Sequence, residues 1–246
     1  MFGLFKKKKE VREVKLNYEG IMVDMHSHVL PGIDDGAKTP EESVELIKKM
    51  MALGIKKIIA TPHIMIDFYR NTPETIGNAL TLLKAELVKE GIDIPVEAAA
   101  EHYFDETFEA RIENGPVMTM GDNHVLFEFS FINQPPNTYS VIQKLHDKGY
   151  KPILAHPERY QYLDLDKLKN LHSWGVDFQL NTISLTGYYG KDIKKMAEDL
   201  IDNSLIDYIS SDMHHLKHAA ALGDALRTTY IEKVLVDYPL KNKMLF

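Results

Sequence analysis

Apolar residues recur along this chain in short runs of six to eight positions, and longer amphipathic stretches separate them. Runs of this length, bounded by turn-forming residues, are typical of buried β-strands. The pattern predicts seven strands, at 21–26, 56–61, 94–101, 124–129, 151–156, 176–181 and 207–212.

Helices are predicted between the strands. Thr39-Pro40 and Thr72-Pro73 each begin one, because a capping hydroxyl precedes a proline in the first turn and acidic residues follow. Further helices are predicted near 138–149, 165–174, 191–203 and 216–234. Glycines stand where four of the helices should end, at positions 54, 91, 149 and 175.

The alternation of strands and helices predicts the α/β class, with a parallel sheet covered by helices. A closed or nearly closed barrel of seven (β/α) units is the simplest architecture for this pattern. In such barrels the chemistry lies at the carboxyl ends of the strands.

Composition excludes several function classes. The chain has 246 residues and no cysteine, which excludes disulfides, thiolate metal sites and cysteine nucleophiles. A net charge of −7 does not favour binding to nucleic acid. No apolar run is long enough to predict a membrane span, and the composition is compatible with a reducing cytoplasm.

Residues 1–20 are predicted to be a basic, flexible extension, and residues 21–246 a single domain. Lys6 to Lys9 are interpreted as part of a solvated tail. The alternative is weak peripheral contact of residues 1–10 with anionic lipid or an acidic partner.

Titratable side chains stand at the carboxyl ends of six of the seven predicted strands. Each of them alone has an ordinary structural explanation, but chance would scatter them over both rims of a barrel. In His26-Ser27-His28 the two imidazoles lie on one side of an extended strand. Asp212 and His214 repeat that spacing at the last strand. The candidates are His26, His28, Asp35, His63, Glu101, Glu128, His156, Asp212 and His214.

Five histidines and four acids are too many ligands for one ion, so two or three divalent ions are predicted. Mixed imidazole and carboxylate ligands suit manganese, iron or zinc. Such centres bind a phosphate or a carbonyl group and activate water. Arg159 has two interpretations, a loop residue paired with Glu158 or a guanidinium that binds phosphate oxygens.

These residues occur in motifs that resemble a known family. The segments HSH, DDGA, TPH, AEHYF, FEFS, AHPERY and SDMH appear in this order in the PHP (polymerase and histidinol phosphatase) superfamily. More closely, HSHVLPGIDDGA resembles the bacterial manganese-dependent protein-tyrosine phosphatases of capsule and exopolysaccharide operons. The resemblance extends from about residue 21 to the last residue.

The resemblance implies a distorted seven-stranded (β/α) barrel of the PHP, TIM-like type and a centre of three metal ions. One ion is held by His26, His28, Glu101 and Asp212; a second by Glu101, Glu128 and His156; and a third by Asp35, His63 and His214. The ions are expected to be manganese, with iron or zinc as alternatives. Arg159 binds the substrate phosphate, and Arg159, Asp212 and His63 are the predicted catalytic residues. The implied partner is the phosphotyrosine-bearing tail of a bacterial tyrosine kinase in polysaccharide export, and the implied location is the cytoplasm.

The chain departs from the family at one point. Family members often carry a second arginine shortly after SDMH, whereas the nearest arginine here is Arg227. Lys217 or His218 are the alternatives for its role, or no residue takes it. Met65, Phe68 and Tyr69 form either an apolar wall for a phenyl ring or a packed lid.

Two other functions remain open at this stage. The first is a phosphatase for a small metabolite such as histidinol phosphate, or a phosphodiesterase. The second is a metal-stabilised module that binds a kinase tail without cleaving it. The complete set of candidate ligands argues against the second, because a decaying site should lose ligands first.

Overall fold

The structure, a computed structural model that describes residues 16–115 and 117–246, alternates short parallel strands with helices. All the strand pairs within the sheets are parallel. The strands are β1 Val23–Asp24, β2 Lys57–Ala60, β3 His63–Ile64, β4 Val96–Ala98, β5 Glu101–Tyr103, β6 His124–Glu128, β7 Lys151–Ala155, β8 Asp177–Asn181 and β9 Tyr208–Ser210.

The strands form two sheets, in the orders β1-β2-β4 and β3-β5-β6-β7-β8-β9. The second predicted strand is divided into β2 and β3, and the third into β4 and β5. Pro62 lies in the first interruption and has no N–H to donate to a neighbouring strand. Hydrogen bonds from Ala99 N to Ala60 O and from Glu101 N to Pro62 O keep the divided strands side by side. The seven predicted strand positions therefore follow one another in order.

The segment after β9 lies beside the segment after β1. Asp212 N donates to His26 O at 2.9 Å, and His28 N donates to Met213 O at 2.8 Å. Ser27 and Met213 form a single parallel bridge. The first and last strand positions are thus joined by a few hydrogen bonds instead of a continuous strand ladder. This agrees with the distorted α/β barrel that was predicted.

Helices cover the strands. They are α1 Pro40–Ala52, α2 Pro73–Lys89, α3 Glu106–Asn114, α4 Thr138–Asp147, α5 Leu165–Ser173, α6 Lys191–Asp202, α7 Leu216–Ala225 and α8 Thr229–Asp237. The predicted caps of α1 and α2 are confirmed, since Thr39 and Thr72 accept hydrogen bonds from Glu42 N and Thr75 N. Gly149 and Gly175, predicted to end helices, both adopt positive φ, at 79° and 80°.

Two features of the helices differ from the prediction. Helix α3 was not predicted, although Asp105 caps it by accepting a hydrogen bond from Phe108 N at 2.8 Å. The predicted helix 216–234 is in fact two helices. Thr228 begins the second, because its hydroxyl accepts from Ile231 N and donates to Ala225 O.

The described chain has defined structure before residue 21. Residues Tyr18–Gly20 form a 3-10 helix, and the buried Tyr18 hydroxyl donates to Leu222 O at 2.8 Å. Tyr18, which lies within the predicted extension, therefore packs in the core. The predictions for Lys6 to Lys9 and for residues 1–10 fall outside the described residues.

Apolar side chains fill both sides of the strands. A large cluster lies between strands and helices, and a smaller one inside the barrel includes Met25, Leu126, Ile153 and Tyr208. Because both faces of the strands are buried, each strand appears in the amino-acid sequence as a continuous apolar run. Across residues 16–115 and 117–246, the helices are all too short or too polar to cross a bilayer.

Candidate metal centre

All nine candidate ligands lie at one end of the barrel. His26, His28, His156, Asp212 and His214 follow strands, His63 and Glu101 begin short strands, and Glu128 ends one. Asp35 belongs to the loop between β1 and α1. Its side chain is about half exposed, whereas the other eight are buried or nearly so.

Glu101 is the centre of the cluster. Its Oε2 lies 3.2 Å from His26 Nε2, 3.4 Å from His28 Nε2 and 3.1 Å from His63 Nδ1. Its other oxygen, Oε1, lies 3.1 Å from His156 Nε2. One carboxylate therefore faces four imidazoles, and its two oxygens are placed so that each could bind a different ion.

Asp35 contacts two histidines, His63 and His214, in the outer part of the cluster. Its Oδ1 lies 3.5 Å from His63 Nε2 and 3.4 Å from His214 Nε2. Ligand atoms of Asp35, His63 and His214, with one of His28, all lie within 4.8 Å of one another. The three residues that the family resemblance groups around one ion are thus neighbours.

Asp212 and Glu128 complete the set. Asp212 Oδ1 lies 3.4 Å from His26 Nε2 and 3.5 Å from His28 Nε2. Glu128 Oε1 lies 3.1 Å from His63 Nδ1, and its Oε2 is 3.8 Å from His156 Nε2. His63 therefore contacts both the outer aspartate and the inner glutamates, which the resemblance did not imply.

The geometry of these donors fits divalent metal ions. With metal–ligand distances of about 2.0–2.2 Å, neighbouring ligands of one ion stand about 3–3.6 Å apart, which is the range seen for most of these pairs. Glu101 Oε2 and His63 Nδ1 are buried and form no hydrogen bond with the described residues, although they lie 3.1 Å apart. Both atoms therefore remain available to bind a third atom, such as a metal ion.

Charge is concentrated in this cluster. Burial lowers the pKa of His63, but the Glu101 carboxylate outweighs burial and raises that pKa to about 10. Burial raises the pKa of Glu101, but His26 and His63 bring it well below its usual value. The Glu101 carboxylate is therefore ionised and favours cations near it, and protons compete with metal ions for the imidazoles.

Two polar residues outside the ligand set orient its histidines. Asp34 Oδ2 accepts a hydrogen bond from His28 Nδ1 at 2.8 Å, and Gln179 Oε1 accepts one from His26 Nδ1 at 2.8 Å. Because a carboxylate only accepts, Nδ1 of His28 carries the proton and Nε2 is free to bind metal. The sequence analysis missed both residues. The second aspartate of DDGA is a ligand candidate, and only the tertiary contact shows that the first supports His28.

The backbone at two strand ends is left-handed. His156 has φ 34° and Asp212 has φ 49°. Such conformations cost free energy in residues other than glycine and accumulate at functional sites. At His156 the turn leads into the 3-10 helix Pro157–Arg159, which directs Arg159 back toward the cluster.

Arg159 contacts Asp212 rather than Glu158. Arg159 Nη1 donates to Asp212 Oδ2 at 3.2 Å. Glu158 Oε1 instead accepts from Ser184 Oγ at 2.7 Å and from Asn181 N at 3.1 Å. The alternative in which Glu158 pairs with Arg159 is therefore wrong, and the guanidinium lies at the edge of the candidate centre.

Lys217 is better placed than His218 to supply a second positive charge. Burial lowers the pKa of His218 to about 4, and its Nδ1 already faces Asp212 O at 3.0 Å. Lys217 is exposed and lines a cavity of about 540 Å³ together with Asp35 and His214.

The loop after β3 divides into a packed and an exposed part. Tyr69 stacks on His63, with ring centroids 5.4 Å apart, while Phe68 is 76% exposed. Tyr69 thus covers the outer side of the cluster, and Phe68 is free of it.

Comparison with known proteins places these features in one family. The family described as "Capsular polysaccharide synthesis, CpsB/CapC" matches residues 22–238. Tyrosine-protein phosphatase YwqE of Bacillus subtilis is 33% identical over 199 residues, which cover 80% of this chain and 78% of the relative. Putative tyrosine-protein phosphatase CapC of Staphylococcus aureus is 34% identical over 200 residues, 79% of this chain and 78% of the relative.

A solved structure agrees with the sequence match. It comes from work titled as the crystal structures of YwqE from Bacillus subtilis and CpsB from Streptococcus pneumoniae, "unique metal-dependent tyrosine phosphatases". It superposes with a TM-score of 0.80 at 30% identity and covers 91% of each chain. The order of strands, the nine converging side chains and these matches lead to one conclusion: the chain belongs to the CpsB/CapC family of capsular polysaccharide synthesis.

Proposed function

We propose that this protein is a metal-dependent phosphatase that removes phosphate from phosphotyrosine in proteins. The observation that carries the proposal is the Glu101 carboxylate, which faces four imidazoles beside a guanidinium contact to Asp212. Relatives that share a third of the sequence are named as tyrosine-protein phosphatases. Without cysteine, the chain has no thiol nucleophile for this reaction.

The proposed ligand groups are those that the family resemblance implies. His26, His28, Glu101 and Asp212 would hold the first ion; Glu101, Glu128 and His156 the second; and Asp35, His63 and His214 the third. Bound divalent ions supply an activated water and polarise the phosphate oxygens. The contact of His63 Nδ1 with Glu128 supports a catalytic role in which His63 links the inner and outer groups.

Arg159 and Asp212 are proposed to act on the substrate as a pair. The in-plane N–H groups of Arg159 bind the non-bridging phosphate oxygens, and one of them stays on Asp212 Oδ2. Asp212 in turn faces His26 and His28. The phosphate is thereby held against the ligands of the first ion.

The finer assignments are also proposals. We propose that the ions are manganese, and that the substrate is the tail of a bacterial tyrosine kinase that controls polysaccharide export. We further propose that the phosphatase works in the cytoplasm, and that it comprises the domain predicted at 21–246 with the preceding packed residues from Tyr18.

One experiment tests the proposed function. Protein stripped of metal by a chelator is assayed with and without Mn²⁺ on a phosphotyrosine peptide, a phosphoserine peptide and histidinol phosphate. Release from phosphotyrosine that depends on metal is expected, together with its loss in Asp212→Asn. Asp237→Asn, which changes an exposed aspartate on α8, is the matched control and retains activity.

The alternatives predict other results. If phosphate is released mainly from histidinol phosphate, the proposed metal centre stands but the proposed substrate is wrong. Binding of the phosphotyrosine peptide without hydrolysis under any metal would favour the binding module.

A further inference from the structure

The guanidinium of Arg159 lies between two aromatic rings. Its Cζ is 4.6 Å from the ring centroid of Phe131 and 4.5 Å from that of Tyr189. Phe131 follows β6, Arg159 follows β7 and Tyr189 follows β8, and these three strands are neighbours in the sheet. Loops from the two flanking strands therefore enclose the arginine of the middle one.

Each ring is itself fixed in place. Phe131 stacks on His156 and on Tyr160, with ring centroids 5.6 Å away in both cases. The Tyr189 hydroxyl accepts a hydrogen bond from Asn181 Nδ2 at 3.4 Å, and the same amide donates to Asp212 Oδ2 at 2.8 Å. Both rings thus connect to residues of the candidate metal centre, yet neither belongs to the candidate ligand set.

The arrangement favours the approach of an anion to the edge of the guanidinium. The donors of a guanidinium lie in its plane, and aromatic rings placed over its Cζ leave those donors free. The Asp212 contact fixes the rotation of the plane, since Arg159 Nη1 donates to Asp212 Oδ2 at 3.2 Å. Among the described residues, Arg159 donates no other side-chain hydrogen bond, so its remaining in-plane N–H groups are available beside Asp212 for phosphate oxygens.

We propose that Phe131 and Tyr189 are positioning residues, which hold the Arg159 guanidinium edge-on beside Asp212 and thereby set the affinity of the centre for phosphate. This inference rests on the proposed function for its substrate. The rings act through Arg159, so their effect should require that arginine.

The test measures the Kd of inorganic phosphate for protein loaded with Mn²⁺, by calorimetry. Phe131→Leu and Tyr189→Leu remove the rings and are each expected to raise the Kd about tenfold. Tyr189→Phe keeps the ring and should change the Kd less than about twofold. Ile132→Ala is the control for Phe131, because Ile132 is adjacent and 86% exposed.

A double-mutant cycle separates positioning from other roles. In an Arg159→Ala background, Phe131→Leu and Tyr189→Leu should no longer change the Kd. The proposal would be overturned if the leucine substitutions raised the Kd by the same factor in the Arg159→Ala background. It would also be overturned if the leucine variants bound phosphate with wild-type affinity, or if Arg159→Ala left the Kd unchanged. If Tyr189→Leu fails to fold, the half-exposed Phe131 carries the test by itself.

Steady-state kinetics add a second readout. The leucine variants should raise KM for the phosphotyrosine peptide more than they lower kcat. If the wild-type protein binds phosphate through Arg159 but hydrolyses no phosphotyrosine, the proposed function is wrong. The calorimetric double-mutant cycle would still test the positioning role of the two rings.

Discussion

Asp34 Oδ2 lies 2.8 Å from Nδ1 of His28, and both side chains are buried. The neighbouring Asp35 instead faces His63 and His214. Adjacent aspartates in the loop after β1 thus have different surroundings, one behind an imidazole and one beside two others. Carboxylates behind metal-binding histidines fix the tautomer and raise the basicity of the ligand nitrogen.

Replacing Asp34 by asparagine should weaken metal binding about 10–100-fold, because a neutral amide does not stabilise the protonated Nδ1 of His28 as a carboxylate does. Titration of the chelator-stripped protein with Mn²⁺ measures the change. Asp237→Asn should bind metal like the wild type. Unchanged affinity in Asp34→Asn would show that the contact does not support the ligand.

Replacing Gly36 by alanine should destabilise the protein. A Cβ at this position would lie 1.9 Å from His28 O, a backbone atom that cannot move without displacing the ligand loop. The expected loss is about 2–4 kcal/mol, measured by urea denaturation.

Gly77 provides the matched control for Gly36. It lies inside α2, and an added Cβ would meet nothing within 4 Å. Gly77→Ala should therefore stabilise the protein by about 0.5–1 kcal/mol, because glycine is a poor helix former. Equal effects of the two substitutions would contradict the close approach at Gly36.

Metal ions should stabilise the folded protein, because the cluster exists only in the folded chain. Free Mn²⁺ at about 100 times its Kd should add about 2.7 kcal/mol to the free energy of unfolding. The shift in Tm by calorimetry should be smaller in His26→Ala, which loses a ligand of only one ion, and unchanged in His172→Gln, which lies outside the cluster. A shift of wild-type size in His26→Ala would remove His26 from the ligand set.

His172 should make stability depend on pH. Its Nε2 lies 3.1 Å from Asp207 Oδ2, and this hydrogen bond raises the pKa of His172 despite partial burial. A histidine whose pKa is raised by folding adds stability below its unfolded pKa of about 6.5. That contribution should disappear as the pH rises through the folded value.

The measurement is urea denaturation from about pH 5.5 to about pH 8.5 on the wild type and His172→Gln, a range that spans the ordinary titration of histidine. The wild type should lose more stability than the variant across this range. Parallel curves for the two proteins would show that the Asp207 contact contributes nothing.

Local sequence determined where the elements and the ligands lie. The pattern of apolar residues identified the seven strand positions, and capping residues identified the starts of α1 and α2. Both signals come from residues that are close together in the chain. The same reasoning missed α3, whose capping residue Asp105 closely follows a strand end, and joined α7 to α8 across Thr228. Strand-end positions also brought eight of the nine candidate ligands to one rim, since parallel strands deliver their carboxyl ends to the same side. Asp35 reaches that rim from the loop between β1 and α1.

Tertiary structure decided what surrounds those ligands. Gln179 of β8 reaches His26, which follows β1, although the two strands belong to different sheets. Phe131 and Tyr189 enclose Arg159 because all three residues follow strands that are neighbours in one sheet. Side-chain direction, not residue type, made Asp34 the partner of His28 and separated Arg159 from Glu158. Periodicity encodes which face a residue occupies, whereas contacts across the barrel depend on how loops of different strands pack together.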